Sequence, residues 1–262
     1  VLGASNYTCA EATMTQDLRS WVDLIRNALE FFKGSTEIWL PDNLKTGVTN
    51  ACRYEPDINP TYSEMAEHYG AVVIPTQPRK PRDKAKVEKG VQVVEQWILA
   101  AIRKITFFDL HQLNGVIKEK LDVLNNKPFQ KMDGTRRSVY EQIDKPALKP
   151  LPQTPYVFAR WKKATANIDY HVSVDHNLYS VPYTLVGNEL DVRLTGSTVE
   201  VFSRGQRVAI HQRAIGRGQV ATEPSHRPAS HQKHLEWTPE RMIRWAESVG
   251  PNTGKLVKMI LE

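Results

Sequence analysis

The feature that most constrains this chain is a short apolar run with an acid directly behind it. Ile38, Trp39 and Leu40 are stopped by Pro41, and Asp42 follows. A run of this kind reads as a buried strand, and α/β proteins collect functional groups at the carboxyl edges of their strands. Asp42 is therefore expected to be solvent-facing but rigidly held. Between Lys84 and Ala101, the residues Val87, Val91, Val94, Ile98 and Ala101 recur at helical spacing, which leaves Glu88 beside the buried stripe in the first turns. A carboxylate there is favoured by the positive helix end and can reach toward Asp42.

Two carboxylates brought together repel, so a fold that builds such a pair generally has a divalent cation to neutralise it; magnesium or manganese suits oxygen ligands, and zinc does not. The loop from Thr76 to Gly90 holds Arg79, Lys80, Arg82, Lys84, Lys86 and Lys89 against Asp83 and Glu88, a net of +4. An acid pair with a basic rim describes an enzyme acting on a polyanion, with cations promoting phosphoryl transfer and lysines and arginines holding the backbone.

The segments LPDNLKTGV and KAKVEKGV, about 45 residues apart, resemble the region of the second and third acids in the DDE transposase and retroviral integrase core. LGASNY at the start, NPTYSEMAEHYGAVVIP in the middle and the tail after Arg136 are similar to the IstA-type transposases of bacterial insertion sequences. The resemblance implies an α/β RNase H-like catalytic core over 1–125, N-terminally incomplete, with Asp42 and Glu88 as its second and third metal-binding acids. It implies two Mg²⁺ or Mn²⁺ ions per active site, and Ala71–Pro75 as the last core strand before the catalytic helix. No acid stands in for the family's first. Glu11 trails the opening strand read over Val1–Thr8, and Asp17 and Asp23 fall in a helix. The chain is thus expected to be part of a longer polypeptide and inactive alone.

Net charge is +6, unevenly spread: residues 1–75 carry five Lys/Arg against ten Asp/Glu, and the positive excess lies beyond them. That pattern favours nucleic acid over membrane as a partner. Cys9 and Cys52 are too few for a disulfide framework, so a reducing (bacterial) cytoplasm is expected, and no run of 18 apolar residues predicts a membrane segment.

Along the chain, Thr15 is expected to cap a helix with the stripe Leu18, Trp21, Val22, Ile25, Ala28 and Leu29, ended by Gly34. Pro60 opens a short helix to Gly70 with Met65 and Ala66 inward, and His68 and Tyr69 read as a packing or surface pair. Asp109 caps a packing helix through Leu113, Ile117, Leu121 and Leu124. Residues 126–155 read as a Pro-rich linker with a short helix starting at Thr135, stiff enough to act as an arm.

From Tyr156 the period becomes two. Six segments (156–163, 168–174, 178–181, 189–194, 199–202 and 207–211) are split by turns at Asp175–Asn177, Gly187–Asn188, Gly196–Ser197 and Arg204–Gly205, which predicts a small all-β barrel over 156–212. Tyr156, Trp161, Tyr170, Tyr179 and Tyr183 read mainly as core. Arg160, Lys162, Lys163, Arg193, Arg204 and Arg207 are candidate phosphate contacts, and a plain solvated face is the alternative. Residues 213–262 read as a basic tail that orders on a partner, with short docking helices. His226, His231 and His234 lack the supporting ligands of a metal site.

Together these features predict a DNA transposase subunit: divalent-metal-dependent 3′-end cleavage and strand transfer, with Asn43, Lys45, Lys84 and Lys86 positioning phosphates. Double-stranded DNA, sister protomers and an AAA+ ATPase helper are the partners the family implies. The competing readings are a non-catalytic DNA-bridging or assembly module and a plain RNase H-type nuclease. Within the catalytic helix, Asp83 or Glu95 is the alternative acid.

Overall fold

The computed structural model describes residues 1–41, 48–50, 57–74, 90–130, 132–229, 231 and 238–261, with backbone only at 48–50 and 57. Two compact units, Val1–Phe158 and Ala159–Glu262, divide a mixed α/β chain.

In the first unit, α1 (Leu18–Phe32) is capped by Asp17, whose carboxylate accepts from the Ser20 N–H at 2.7 Å. Thr15, the expected cap, instead donates its hydroxyl to Asp17. A carboxylate outcompetes a hydroxyl here because it accepts two bonds at once and carries charge toward the positive helix end. The helix ends on Lys33 in the left-handed conformation at φ 55°. Gly34 answers a different need: a Cβ there would lie 2.7 Å from Leu148 Cβ.

Strand β1 (Ile38–Trp39) is followed by a hairpin of β2 (Val48–Asn50) with β3 (Asp57–Ile58), helix α2 (Pro60–His68) and strand β4 (Val72–Val73), which pairs in parallel with β1. Met65 and Ala66 point inward as expected, packed with Val22, Leu29, Trp39, Tyr62 and Tyr69. The expectation of fully buried strands fails, because Ile38, Leu40, Val72 and Ile74 are 44–60% exposed. Among the described residues this sheet has two strands, and Trp39 faces the core while its neighbours along the strand face away.

The opening segment is not the expected strand. Asn6, at φ 55°, turns the chain so that the Leu2 N–H donates to the Tyr7 carbonyl at 3.0 Å, and Leu2 and Tyr7 pack with Phe32 and Tyr140. From Thr8 to Ala12 the backbone is held by two asparagines of helix α4, introduced next.

Helix α3 (90–102) contains a π turn at Glu95–Leu99. Its buried residues are Ile98 and Ile102, whereas Val91 and Ala101, expected in the stripe, are exposed. The wider turn carries an extra residue and shifts the register behind it, so that Ile102 takes the buried place expected of Ala101. Helix α4 (Leu110–Asn126), capped by Asp109 as expected, packs Ile117 and Leu121 on that pair.

Asn125 of α4 accepts from the Thr8 N–H at 3.1 Å and donates to the Thr8 carbonyl at 2.9 Å, while Asn114 does the same for Ala12 at 2.8 and 3.0 Å. The two amides act as ladder partners, so a segment without a neighbouring strand keeps its backbone bonded.

Helix α5 (136–147) starts with a capping box at Thr135 and passes through a π turn at Tyr140–Asp144 into Lys145–Ala147, which contains Pro146. The proline stretch behind it is no free arm. Ser35 and Lys149 exchange backbone bonds at 2.9 Å, Lys149 Nζ donates to the Gly70 carbonyl at 2.8 Å, and the buried Tyr156 N–H donates to Tyr69 Oη at 3.2 Å. His68 and Tyr69 thus form a packing pair that anchors this stretch, His68 Nε2 donating to the Thr154 carbonyl.

The second unit is built from β5 (Arg160–Thr165), β6 (His171–Val174), β7 (Asn177–Ser180), β8 (Glu189–Leu194), β9 (Thr198–Ser203), β10 (Gln206–Gln212) and β11 (Val220–Ala221). They form two sheets, ordered β10-β9-β8-β5 and β11-β7-β6. The inward residues of both, among them Val172, Tyr179, Val181, Leu190, Val192, Val199 and Val201, make one apolar cluster. The strand β11 was hidden in what read as unordered tail: it pairs in parallel with β7, and the Gln219 N–H donates to Asn177 Oδ1 at 2.9 Å. Helices α6 (Pro239–Val249) and α7 (Pro251–Leu261) close the chain as a hairpin. Ala246 is fully buried there, and a Cβ on Gly254 would meet Glu247 Cγ at 2.7 Å.

Candidate functional sites

The parallel pairing of β1 and β4, with Ile38 opposite Val72 and Trp39 opposite Val73, sends both strands out of the sheet at one edge. In sequence, Asp42 lies three positions after the last residue of β1, and Glu88 two positions before the first described residue of α3. Strand β1 and helix α3 are themselves packed. Trp39 packs against Tyr62 and Tyr69 at ring distances of 5.8 and 6.2 Å, and α3 is anchored through Ile98 and Ile102. Asp42, Glu88, Asn43, Lys45, Arg79, Lys80, Arg82, Lys84, Lys86 and Lys89 lie outside the described residues.

The cations expected on phosphate in the second unit are described, and most of them meet carboxylates. Lys163 pairs with Glu189 at 2.7 Å on the open surface, and Glu200 receives both Arg193 at 3.1 Å and Arg207 at 3.4 Å. Arg204 is exposed in its turn at φ 51°. Arg160 at 3.0 Å and Lys162 at 2.7 Å converge on Asp175, where Arg213 joins them at 3.0 Å. The Lys162 ammonium, aided by the two arginines, holds the Asp175 carboxyl below its ordinary range. Arg213 escaped the sequence reading because it lay in the presumed tail, and Asp175 read only as a turn former.

Histidines fasten the returning segment to β7. Ser180 Oγ accepts from the Glu223 N–H at 2.8 Å and bonds His226 Nδ1 at 2.9 Å; His211 Nε2 donates to the Ser180 carbonyl at 2.7 Å. His171 donates from Nδ1 to the Asp169 carbonyl, and its Nε2 hydrogen-bonds Thr222 Oγ1 at 2.9 Å.

Burial, and then the nearby His211, depress the pKa of His226 below its ordinary 6.5. A group whose native pKa is lowered stabilises the fold above its unfolded pKa and loses that share as pH falls through the native value. The melting temperature of the second unit should therefore be lower in a buffer well below pH 6.5 than in a neutral one. His226→Gln should narrow that gap when both pH values are followed by circular dichroism; an undiminished gap would refute this origin.

Among the described residues no group of three or more His, Cys, Asp or Glu is arranged to hold a metal. Burial pushes the Cys9 thiol up to about 11, which favours its protonated form near neutral pH. None of the described helices is long and apolar enough to cross a membrane.

Comparison with known proteins matches residues 151–223 to the Mu transposase C-terminal domain family. A relative in Burkholderia multivorans named for the transposase of insertion sequence IS408 is 44% identical over 261 residues, which is 100% of this chain and 50% of that protein. One in Pseudomonas fluorescens named for insertion sequence IS1162 is 46% identical over 98% of the chain and 46% of that protein. More distantly, the transposase of insertion sequence element IS21 from Pseudomonas aeruginosa is 24% identical over 86% of the chain. The chain is thus a homologue, along its whole length, of insertion-sequence transposases, as the sequence motifs implied. It spans about half the length of the curated relatives it matches first.

Proposed function

We propose that the polypeptide to which this chain belongs is a DDE-type DNA transposase that cleaves the 3′ ends of an insertion sequence and joins them to target DNA. The first unit is then an RNase H-like core and the second a small β-barrel that holds DNA. The observation that supports this reading is the parallel β1–β4 pair, whose two strands run in the same direction ahead of the sequence positions of Asp42 and Glu88. It is found in a chain 44–46% identical to insertion-sequence relatives over nearly its full length.

Asp42 and Glu88 would hold divalent cations, since carboxylate oxygens are the donors that magnesium and manganese take. When bound, such cations lower the pKa of the attacking hydroxyl and offset charge at phosphorus. In the first reaction, water attacks the phosphodiester and leaves a free 3′ hydroxyl. In the second, that hydroxyl attacks a target phosphodiester in line and displaces the target's 3′ oxygen, with no covalent enzyme intermediate. Asn43, Lys45, Lys84 and Lys86 hold backbone phosphates beside the acids, and Arg79, Lys80, Arg82 and Lys89 form the basic rim.

A second reading, an assembly module that bridges DNA ends without chemistry, is favoured by the C-terminal hairpin. Trp245, Val249, Leu256, Met259 and Ile260 are 55–76% exposed there, a face suited to a sister protomer or an AAA+ helper. Incubating the complete polypeptide with its element ends, target DNA and Mg²⁺ separates the two. Joined products support the transposase, and stable end pairing without any joined product supports the bridge.

A further inference from the structure

We propose that Arg160, Lys162 and Arg213 form one binding site for a backbone phosphate of nucleic acid, with Asp175 as the residue that positions them. The proposal rests on the nucleic-acid reading of the second unit and names where on that unit a phosphate is held.

The three cations come from both edges of one sheet. Arg160 and Lys162 alternate along the edge strand β5, so both point to the same side. Arg213 follows β10 at the opposite edge. Its N–H donates to the Ser197 carbonyl at 2.8 Å and its Nη1 to the Thr195 carbonyl at 2.8 Å, which fixes the side chain before it reaches Asp175. Asp175 itself is presented by the two-residue turn between β6 and β7. Val174 pairs with Asn177, and Asp175 and His176 take φ of 48° and 65°, the pattern of a type I′ turn. Non-glycine residues adopt that backbone at a cost, so the tip is held there by its surroundings.

Three cations on one carboxylate leave a surplus of two positive charges. Lys162 takes Oδ1, while Arg160 and Arg213 share Oδ2, and the four side chains are 30–46% exposed. Surface ion pairs contribute little to stability, and gathering like charges opposes it. The surplus therefore fits an anion arriving from solvent, and the guanidinium forks keep N–H donors beyond those given to Asp175. The Glu200 cluster differs: its arginine–carboxylate pair of Arg193 and Glu200 is only 16% and 13% exposed, which suits packing. All four residues of the Asp175 cluster fall within the stretch matched to the Mu transposase C-terminal domain family.

The test measures duplex DNA binding by the whole chain across a salt series, with thermal melts as a check on folding. Arg213→Gln and Lys162→Gln should each weaken binding severalfold and make the slope of log affinity against log salt shallower by about one. Asp175→Asn and Glu189→Gln change net charge equally. Bulk electrostatics makes both bind more tightly, whereas a positioning role makes Asp175→Asn bind less tightly than Glu189→Gln. Unchanged slopes in Arg213→Gln and Lys162→Gln overturn the site. Reduced slopes with Asp175→Asn tracking Glu189→Gln overturn the positioning role. If Asp175→Asn does not fold, the two cation variants decide alone. Failure of the unaltered chain to bind duplex DNA removes the parent reading and the site with it.

Discussion

In the complete polypeptide, Asp42→Asn and Glu88→Gln should each reduce strand transfer about a thousandfold, on the order of 4 kcal/mol of transition-state stabilisation, while leaving end binding intact. The size follows from the roles proposed for the two carboxylates. Each would contribute to holding cations whose effect is felt mainly where charge develops at phosphorus, so losing one costs the chemical step and not ground-state affinity. The conservative amides keep shape and most hydrogen-bonding capacity but lose the negative charge, which isolates the electrostatic share. Gel-resolved joined products measure the rate, and a mobility shift of the same ends measures binding. Joining at the unaltered rate in both variants would end the assignment. Loss of joining in Asp83→Asn or Glu95→Gln, with Glu88→Gln unaffected, would move the third acid within its helix.

Asn125→Leu should lower the stability of the first unit by about 3 kcal/mol, and its melting temperature by roughly 6–12 °C. Asn125 is 1% exposed and satisfies both the N–H and the carbonyl of Thr8, itself 2% exposed. Leucine keeps the branched shape but leaves two backbone groups buried without partners, which is more costly than the loss of a surface bond. Asn114→Ala offers the contrast: it bonds Ala12 in the same way at a part-buried position, where water can take over, so a loss of about 1 kcal/mol is expected. Chemical denaturation of both variants checks the ratio, and equal small losses would show that the clamp on Thr8 contributes little.

Much of the chain was legible before its structure. Segments β8 and α4 follow from alternation, helical period and the capping Asp109, because each depends on neighbours a few residues apart. The same holds for α2, where Pro60 opens the helix and Met65 and Ala66 turn inward. The failures share a cause. Residues 1–8 have the composition of a strand, yet Asn6 turns the chain and Asn125, more than a hundred positions away, supplies the bonds a neighbouring strand would. Segment 213–226 has too little apolar content to predict order, and gains it from Ser180, Asn177 and His171 on strands it rejoins.

The sequence by itself pointed to the family, named two candidate acids and located elements such as α2, α4 and β8, since motif spacing, caps and periodicity are written within short windows of residues. Only the tertiary structure decided that β1 and β4 run parallel and leave the sheet together, and that Arg160, Lys162 and Arg213 meet on Asp175. It also decided that the proline stretch lies along the first unit. Those facts depend on which distant segments pair. Pairing is settled by the burial and hydrogen bonding of the chain as a whole, and no local pattern reports it.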